Sequence, residues 1–225
     1  MKLDTASPPY VVAFAALVPA AFTAIVVSLQ VAAEPVIARH EAVRQRRALV
    51  KVFELVENVE ALPPEEAARI VEARIDPSLE VTDPVTKRTF RVYRAADEDG
   101  RPVGVAFTTS GNGFWAPIAG LMALAPDRRT VLRMVFTDNR ETPGLGGRIT
   151  EEAFQKGQFA GLDASPPAQG RPYLTVAAER PEAGPRARRT VQAITGATQT
   201  SRAVVKFVSA DLAAFQRAMD AQGPP

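Results

Sequence analysis

The sequence predicts an α+β protein in which one N-terminal transmembrane helix precedes an antiparallel-sheet domain with helices packed against it. Three observations lead to this fold class: residues 10–33 are apolar and uncharged, apolar residues in the middle of the chain alternate with period two, and those near the end recur every three or four positions. The first pattern is typical of a membrane span, the second of strands and the third of an amphipathic helix.

The apolar stretch is long enough to cross a bilayer. A helix over its 24 residues reaches ~36 Å, against a hydrocarbon core of ~30 Å. A cleaved signal peptide is the alternative, because Val31-Ala32-Ala33 satisfies the small-residue rule for cleavage, but the stretch exceeds the ~7–15 apolar residues of a signal sequence. We therefore expect residues 1–33 to form a retained N-terminal transmembrane anchor.

The charges beside the span leave open which side of the membrane holds the domain. Five basic residues follow it, namely Arg39, Arg44, Arg46, Arg47 and Lys51. By the positive-inside rule alone, they would keep the domain in the cytoplasm. Acidic residues are interleaved with them, however, and long domains cross the membrane largely regardless of flanking charge.

Residues 34–59 are predicted to form a stalk helix, and residues 60–225 the globular domain. In chain order, the elements predicted inside the domain are a helix that starts at Pro63-Pro64 and stops at Asp76-Pro77, strands over residues 89–95, 102–108, 118–124 and 130–137, a helix over 149–159, a strand over 173–178 and a helix over 201–221. Asp99-Gly100 is a typical hairpin turn between the first two strands. The final helix has one apolar stripe, formed by Val204, Val208, Leu212, Phe215 and Met219.

Composition excludes several kinds of site. A net charge of +2 without a basic cluster argues against a nucleic-acid partner. With no cysteine and one histidine, the chain cannot form a disulfide framework, a thiolate-bound iron–sulfur cluster or a Cys/His zinc site. No catalytic constellation stands out either. If the protein moves electrons, it needs an organic cofactor.

A glycine turn leads into the predicted final helix. Residues 195–201 read Thr-Gly-Ala-Thr-Gln-Thr-Ser and place hydroxyl side chains around the helix start. Free amide groups and the positive end of the helix dipole favour a phosphate there; the alternative is an ordinary capped helix start. The segment matches neither the P-loop nor the G-x-G-x-x-G pattern of dinucleotide-binding proteins.

A second glycine-rich loop follows the strand that ends near residue 137. Residues 141–147 read Glu-Thr-Pro-Gly-Leu-Gly-Gly, so that glycines expose backbone donors while Leu145 presents an apolar side chain. Such a loop can lie against a flat aromatic ring system and hydrogen-bond to its edge. The alternative is an ordinary glycine-rich turn.

Taken together, the two segments resemble the covalent flavin-binding subunits of bacterial ion-pumping respiratory complexes. These are the C subunit of the sodium-translocating NADH:quinone reductase and the G subunit of the Rnf complex. The Gly-Phe-Trp-Ala-Pro run that begins at Gly113 is more similar to the former. The resemblance extends over the whole plan of the chain, about residues 8–222.

The resemblance implies FMN held by a phosphoester on Thr198, which a dedicated flavin transferase forms. The residues that it implies around the phosphate and ribityl chain are Thr195, Gly196, Ala197, Gln199 and Thr200. Those that it implies beside the isoalloxazine ring are Thr142, Gly144, Leu145 and Gly146, with Trp115 on the same wall. The family pattern usually has an aspartate at the position that Gln192 occupies here.

The resemblance also implies a membrane-anchored electron-transfer subunit rather than a stand-alone enzyme, with other membrane subunits of the same complex as its partners. We accordingly expect a single-pass protein of the inner (cytoplasmic) membrane with its domain on the periplasmic side. Because of Gln192, a domain that holds FMN non-covalently is one alternative. A flavin-free anchored assembly module is the other.

Overall fold

The computed structural model describes residues 7–168 and 170–222. The chain divides into two compact units, Met1–Val43 and Arg44–Pro225. The predicted fold class is confirmed, since the first unit is a long apolar helix and the second holds an antiparallel sheet with packed helices.

Helix α1, Pro8–Val52, contains the apolar stretch. A window of 18 residues in it has a mean hydropathy of 2.4, and none of that window is buried. Among the described helices it alone is long and apolar enough to cross a membrane. Phe14, Phe22 and Leu29 are more than half exposed, as is expected of side chains that face lipid.

Helix α1 ends before the predicted end of the stalk helix at residue 59. Glu54 adopts a left-handed conformation with φ 52°, and the amide of Leu55 donates a hydrogen bond to the carbonyl oxygen of Val50 at 3.1 Å. This turn closes the helix, so the prediction of a helix through residues 53–59 was wrong. The turn is fixed by packing, because Val50 and Phe53 are buried.

The second unit contains a five-stranded antiparallel sheet whose strands follow one another in chain order. The helices and strands of this unit, up to the last strand of the sheet, are α2 Pro64–Arg74, β1 Ile75–Thr82, β2 Thr89–Ala96, β3 Pro102–Asn112, β4 Pro117–Leu124 and β5 Val131–Asp138. Strand β1 was not predicted, because Asp76-Pro77 indicates a break. It lies at the edge of the sheet, and its register with β2 shifts between Asp76 and Leu79. A strand can hold a proline at an edge or at such an irregularity.

The chain beyond β5 is less regular than predicted. A 3-10 turn, Gly146–Thr150, and the short helix α3, Glu152–Gln155, replace the predicted helix over residues 149–159. Gly161, with φ 75°, belongs to the turn that follows.

Two short strands and the last helix complete the domain. The predicted strand over residues 173–178 is confirmed as β6, Thr175–Ala177, which pairs in parallel with the unpredicted β7, Thr190–Gln192. Helix α4, Thr198–Ala221, is the predicted final helix with an earlier start.

Helix α4 packs on one face of the sheet. The members of its predicted apolar stripe that are fully buried are Val204, Val208, Leu212 and Phe215. The Phe215 ring stacks on Phe107 with centroids 4.1 Å apart and meets Phe90 edge-on at 6.0 Å. Burial of each such ring stabilises the fold by about 1.5–3 kcal/mol, so this cluster fixes α4 against the sheet.

The opposite face of the sheet packs against the end of α1. Leu49 and Phe53 form one buried cluster with Tyr93, Ala106 and Leu121. Side chains alternate between the two faces along each strand, as in Ala106 and Phe107. Both faces of the sheet are therefore covered.

Two buried carboxylates anchor α4 to the strands. Asp211 accepts a hydrogen bond from the Thr109 hydroxyl at 2.6 Å and pairs with Arg88 at 2.7 Å; its burial raises its pKa. Asp83 accepts two hydrogen bonds from Arg217, at 3.0 and 2.7 Å, and this guanidinium holds the pKa of Asp83 well below its ordinary value of 3.8. These contacts hold the second half of α4 in place.

Candidate functional site

A cleft of about 360 Å³ opens at the first turn of α4. Three segments that are distant in sequence meet there: the loop between β3 and β4, the loop after β5 and the turn before α4. The residues that line the cleft are Phe114, Trp115, Glu141, Thr142, Leu145, Gly146, Gly196, Ala197, Thr198, Gln199 and Thr200.

Nine of the eleven residues that the sequence predicts for the site line this cleft. The two others do not. Thr195 is exposed in the turn before α4, and Gly144 lines a neighbouring depression together with Arg148 and Glu151. The fold therefore brings both predicted loops, and Trp115, to one place.

The first turn of α4 presents unpaired backbone donors. The first hydrogen bond of the helix runs from the amide of Ser201 to the carbonyl oxygen of Ala197 at 3.0 Å. Within the described residues, the amides of Thr198, Gln199 and Thr200 have no acceptor, and the N-cap residue Ala197 supplies no side-chain bond. Such a helix start attracts an anion.

Gly196 sets the direction from which the chain enters α4. Its φ of 83° lies in the left-handed region that glycine adopts without strain. A Cβ atom on Gly196 would be 3.4 Å from Leu145 Cδ2, so the two glycine-rich segments lie in contact. Ser201 fixes the same turn, because its hydroxyl accepts a hydrogen bond from the amide of Ile194 at 3.0 Å.

The two threonines in the first turn of α4 have different environments. Thr200 is only 3% exposed, and its hydroxyl donates to Glu141 Oε2 at 2.8 Å. Thr198 is exposed, and its hydroxyl makes no hydrogen bond to any described residue. Of the two, Thr198 is therefore the one whose hydroxyl is open to reaction.

Glu141 connects all three segments of the cleft. Its Oε1 atom accepts a hydrogen bond from the amide of Trp115 at 2.9 Å and a longer one from Ala116 at 3.4 Å. Its Oε2 atom accepts the bond from Thr200. The side chain is 5% exposed, and the backbone packs closely around it: a Cβ atom on Gly113 would lie 2.5 Å from Oε1, and one on Gly146 would lie 2.7 Å from Oε2.

Exposed apolar side chains form the outer wall of the cleft. Trp115 is 71% exposed, Phe114 57% and Leu145 48%, and the two aromatic rings meet edge-on at 5.3 Å. In the described part of the second unit, the only other large apolar side chain this exposed is Val85. Their concentration at one cleft indicates a surface that binds an apolar, planar group.

Sequence reasoning missed Phe114 and Glu141 as site residues. Phe114 stands beside the predicted Trp115, so the same aromatic signal could have found it. Glu141 begins the second glycine-rich loop, but its partners are 26 and 59 residues away. No local pattern indicates such bonds.

A larger groove, of about 870 Å³, lies at the other end of α4. It is lined by Met219 of α4, by Gln222 directly after the helix, and by residues of β1, β2 and β3. None of the residues predicted for the site lines it.

The region of the cleft is similar to a known family of domains. The FMN-binding domain model matches residues 113–213. The C subunit of the Na(+)-translocating NADH-quinone reductase of Neisseria meningitidis serogroup A is 34% identical over 113 residues, which are 50% of this chain and 42% of that protein. The G subunit of the proton-translocating ferredoxin:NAD(+) oxidoreductase complex of Clostridium ljungdahlii is 31% identical over 116 residues, which are 52% of this chain and 55% of that protein. The matches thus span about half the length of these relatives or less.

Solved structures share the fold. NqrC from Shewanella oneidensis superposes with a TM-score of 0.64 at 18% identity, covering 80% of this chain and 97% of its own. The C subunit of the Na(+)-translocating NADH-quinone reductase from Parabacteroides distasonis gives a TM-score of 0.67 at 20% identity, covering 82% of this chain and 95% of its own.

Every residue that lines the cleft lies inside the matched region. The cleft combines free amides at a helix start with an exposed apolar wall. Over residues 113–213 the chain is therefore similar to the FMN-binding domain family.

Proposed function

We propose that the protein is a membrane-anchored electron-transfer subunit of an ion-translocating respiratory complex, and that it carries FMN covalently bound through Thr198. The observation that carries the proposal is the pairing of an exposed, unbonded Thr198 hydroxyl with three acceptor-free amides at the start of α4. A phosphate bonded to Thr198 lies where these amides and the helix dipole stabilise its charge.

Each wall of the cleft has a separate role in the proposal. The turn at Gly196 and the first turn of α4 hold the phosphate and ribityl chain, and Thr142, Leu145 and Gly146 border the ring. Trp115, with Phe114, covers its apolar surface. FMN supplies the redox chemistry, because it takes up and releases electrons one at a time, whereas the protein binds, orients and shields it.

Covalent attachment requires a catalyst, because an unactivated threonine hydroxyl is a weak nucleophile. No described residue within hydrogen-bond distance of the Thr198 hydroxyl can act as its base. We therefore include a flavin transferase among the partners, together with the other membrane subunits that donate and accept the electrons.

The exposed apolar surface of α1 supports anchoring in the inner membrane. We place the FMN domain on the periplasmic side. There a covalent bond has a physical advantage, since a cofactor that faces open solvent is otherwise lost by dilution.

The test is to co-express the chain with a flavin transferase and to examine the denatured protein. We expect in-gel flavin fluorescence from the wild type and from Thr195→Val, and none from Thr198→Val. Flavin that is present in the native protein but lost on denaturation would contradict covalent attachment and favour non-covalent binding, to which Gln192 points. A colourless protein from its native complex would contradict flavin binding altogether.

A further inference from the structure

We propose that Glu141 is the positioning residue of this site, and that its buried negative charge keeps the reduction potential of the bound FMN lower than a neutral side chain would. The inference rests on the proposed function, because it concerns the same cleft. Glu141 does not react itself: it acts through the segments that it holds and through its charge.

Glu141 bridges two walls of the cleft. Each carboxylate oxygen holds a different wall: Oε1 accepts from the backbone of the aromatic segment at Trp115, and Oε2 accepts from Thr200 in the first turn of α4. Glu141 itself belongs to the glycine-rich loop. One side chain therefore fixes the separation between the apolar wall and the helix start.

The chain packs tightly around both carboxylate oxygens of Glu141. Gly113 lies beside Oε1 and Gly146 beside Oε2, so closely that neither position has room for a Cβ atom. Protein interiors do not tolerate such overlaps without movement of their neighbours. The position of the carboxylate is thus determined by backbone as well as by hydrogen bonds.

Glu141 differs from the other buried carboxylates of the described chain in having no cationic partner. The described residues contain three buried acidic side chains, namely Asp83, Glu141 and Asp211. Asp83 pairs with Arg217 and Asp211 with Arg88. No lysine or arginine of the described chain lies within ion-pair distance of Glu141, whose hydrogen-bond donors are all neutral.

A buried carboxylate without a counter-charge is costly, and such groups are retained mainly where they serve a site. Glu141 lines the cleft, so its charge acts on whatever occupies it. Reduction adds negative charge to a flavin, and charges interact more strongly away from water. A negative charge at Glu141 therefore disfavours the reduced flavin.

The test of the charge is Glu141→Gln in the full-length flavinylated protein. Glutamine keeps the size of the side chain: its Oε1 can accept from Trp115, and the Thr200 hydroxyl can turn to accept from Nε2. We expect the midpoint potential of the FMN that this variant carries to rise above the wild-type value. A potential equal to that of the wild type would overturn the inference.

A matched control is Glu151→Gln, which removes a carboxylate that is half-exposed and paired with Arg148 at 3.0 Å. Solvent and its partner screen that charge, so we expect the potential to stay at the wild-type value. An equal rise in both variants would overturn the assignment to Glu141, because it would reflect net charge alone.

The positioning role is tested without flavin, in the Thr198→Val background. We expect Glu141→Ala to accelerate hydrogen–deuterium exchange of the amides of Trp115 and Ala116, and Glu151→Ala to leave it unchanged. Unchanged exchange in the Glu141 variant would overturn the positioning role. A wild-type chain that never acquires flavin would instead overturn the proposed function. The exchange result does not depend on flavin, so the two failures can be told apart.

Discussion

Arg202 follows Thr198 by four residues in α4, so the two side chains lie one turn apart on the same face of the helix. Arg202 is exposed, and it has no hydrogen-bond or ion-pair partner among the described residues. A guanidinium at this distance can reach a phosphate carried by the Thr198 oxygen, and arginine is well suited to phosphate.

We predict that Arg202→Gln slows flavin attachment to Thr198 by about two- to fivefold, the effect of one exposed charge pair. The measurement is the rate of flavinylation with the purified transferase, followed by in-gel fluorescence. The control is Lys206→Gln, one turn further along α4, which we expect to react at the wild-type rate. If both variants slow equally, the effect is one of net charge and the role given to Arg202 is incorrect.

Gly146 offers a test of the packing behind the cleft. In Gly146→Ala, the new Cβ atom would lie 2.6 Å from Thr200 Oγ1 and 2.7 Å from Glu141 Oε2. Such overpacking costs about 1–3 kcal/mol of folding stability. Here it also separates Thr200 from Glu141 and so weakens their hydrogen bond. We expect a lower melting temperature together with poorer flavin attachment.

The control for this prediction is Gly161→Ala, where φ is 75° but no atom lies within 4 Å of the added Cβ. Backbone strain of about 1 kcal/mol should lower the melting temperature while flavin attachment stays normal. Equal flavin loss in both variants would mean that the stability of the fold, and not the packing behind the cleft, limits flavin attachment.

The Asp83–Arg217 pair predicts a pH dependence of stability. The pKa of Asp83 lies well below 3.8 in the folded chain, first because of Arg217, whereas it returns to about 3.9 on unfolding. A carboxyl with a depressed folded pKa stabilises the fold above its unfolded pKa, and this contribution is lost as the pH falls further. Thermal unfolding by circular dichroism should show wild-type stability falling below about pH 4 more steeply than that of Asp83→Asn. Parallel curves for the two proteins would contradict the assignment.

The natural absence of cysteine makes the membrane side directly measurable. A single cysteine in place of Asp99, which lies exposed in the turn between β2 and β3, introduces one reactive thiol. We expect a membrane-impermeant maleimide to label it in intact spheroplasts, because the domain is proposed to lie in the periplasm. Labelling that appears only after the membrane is broken would put the domain on the cytoplasmic side.

The elements that the sequence predicted well are those whose signal is local. The stripe of α4 and the hairpin at Asp99-Gly100 follow from spacing and turn chemistry, and both are present. Strand β1 was missed because Asp76-Pro77 indicates a break, whereas pairing at a sheet edge overrides that local preference. The end of α1 was missed because the turn at Glu54 is set by burial of its neighbours.

The same distinction holds at the cleft. The two glycine-rich segments were recognisable as motifs, and their resemblance to a family implied that both belong to one site. The role of Glu141 was not visible, because its hydrogen bonds cross 26 and 59 residues of chain and exist only once the sheet and α4 have packed. Likewise, only the fold distinguishes the buried Thr200 from the exposed Thr198.

The most direct measurement of the central claim is the mass of the intact chain isolated from its native membrane, followed by peptide mapping. We predict one added FMN, located on the peptide that contains Thr198 and bonded to that residue. A chain of unmodified mass, or an FMN mapped to Thr195 or Thr200 instead, would contradict the account.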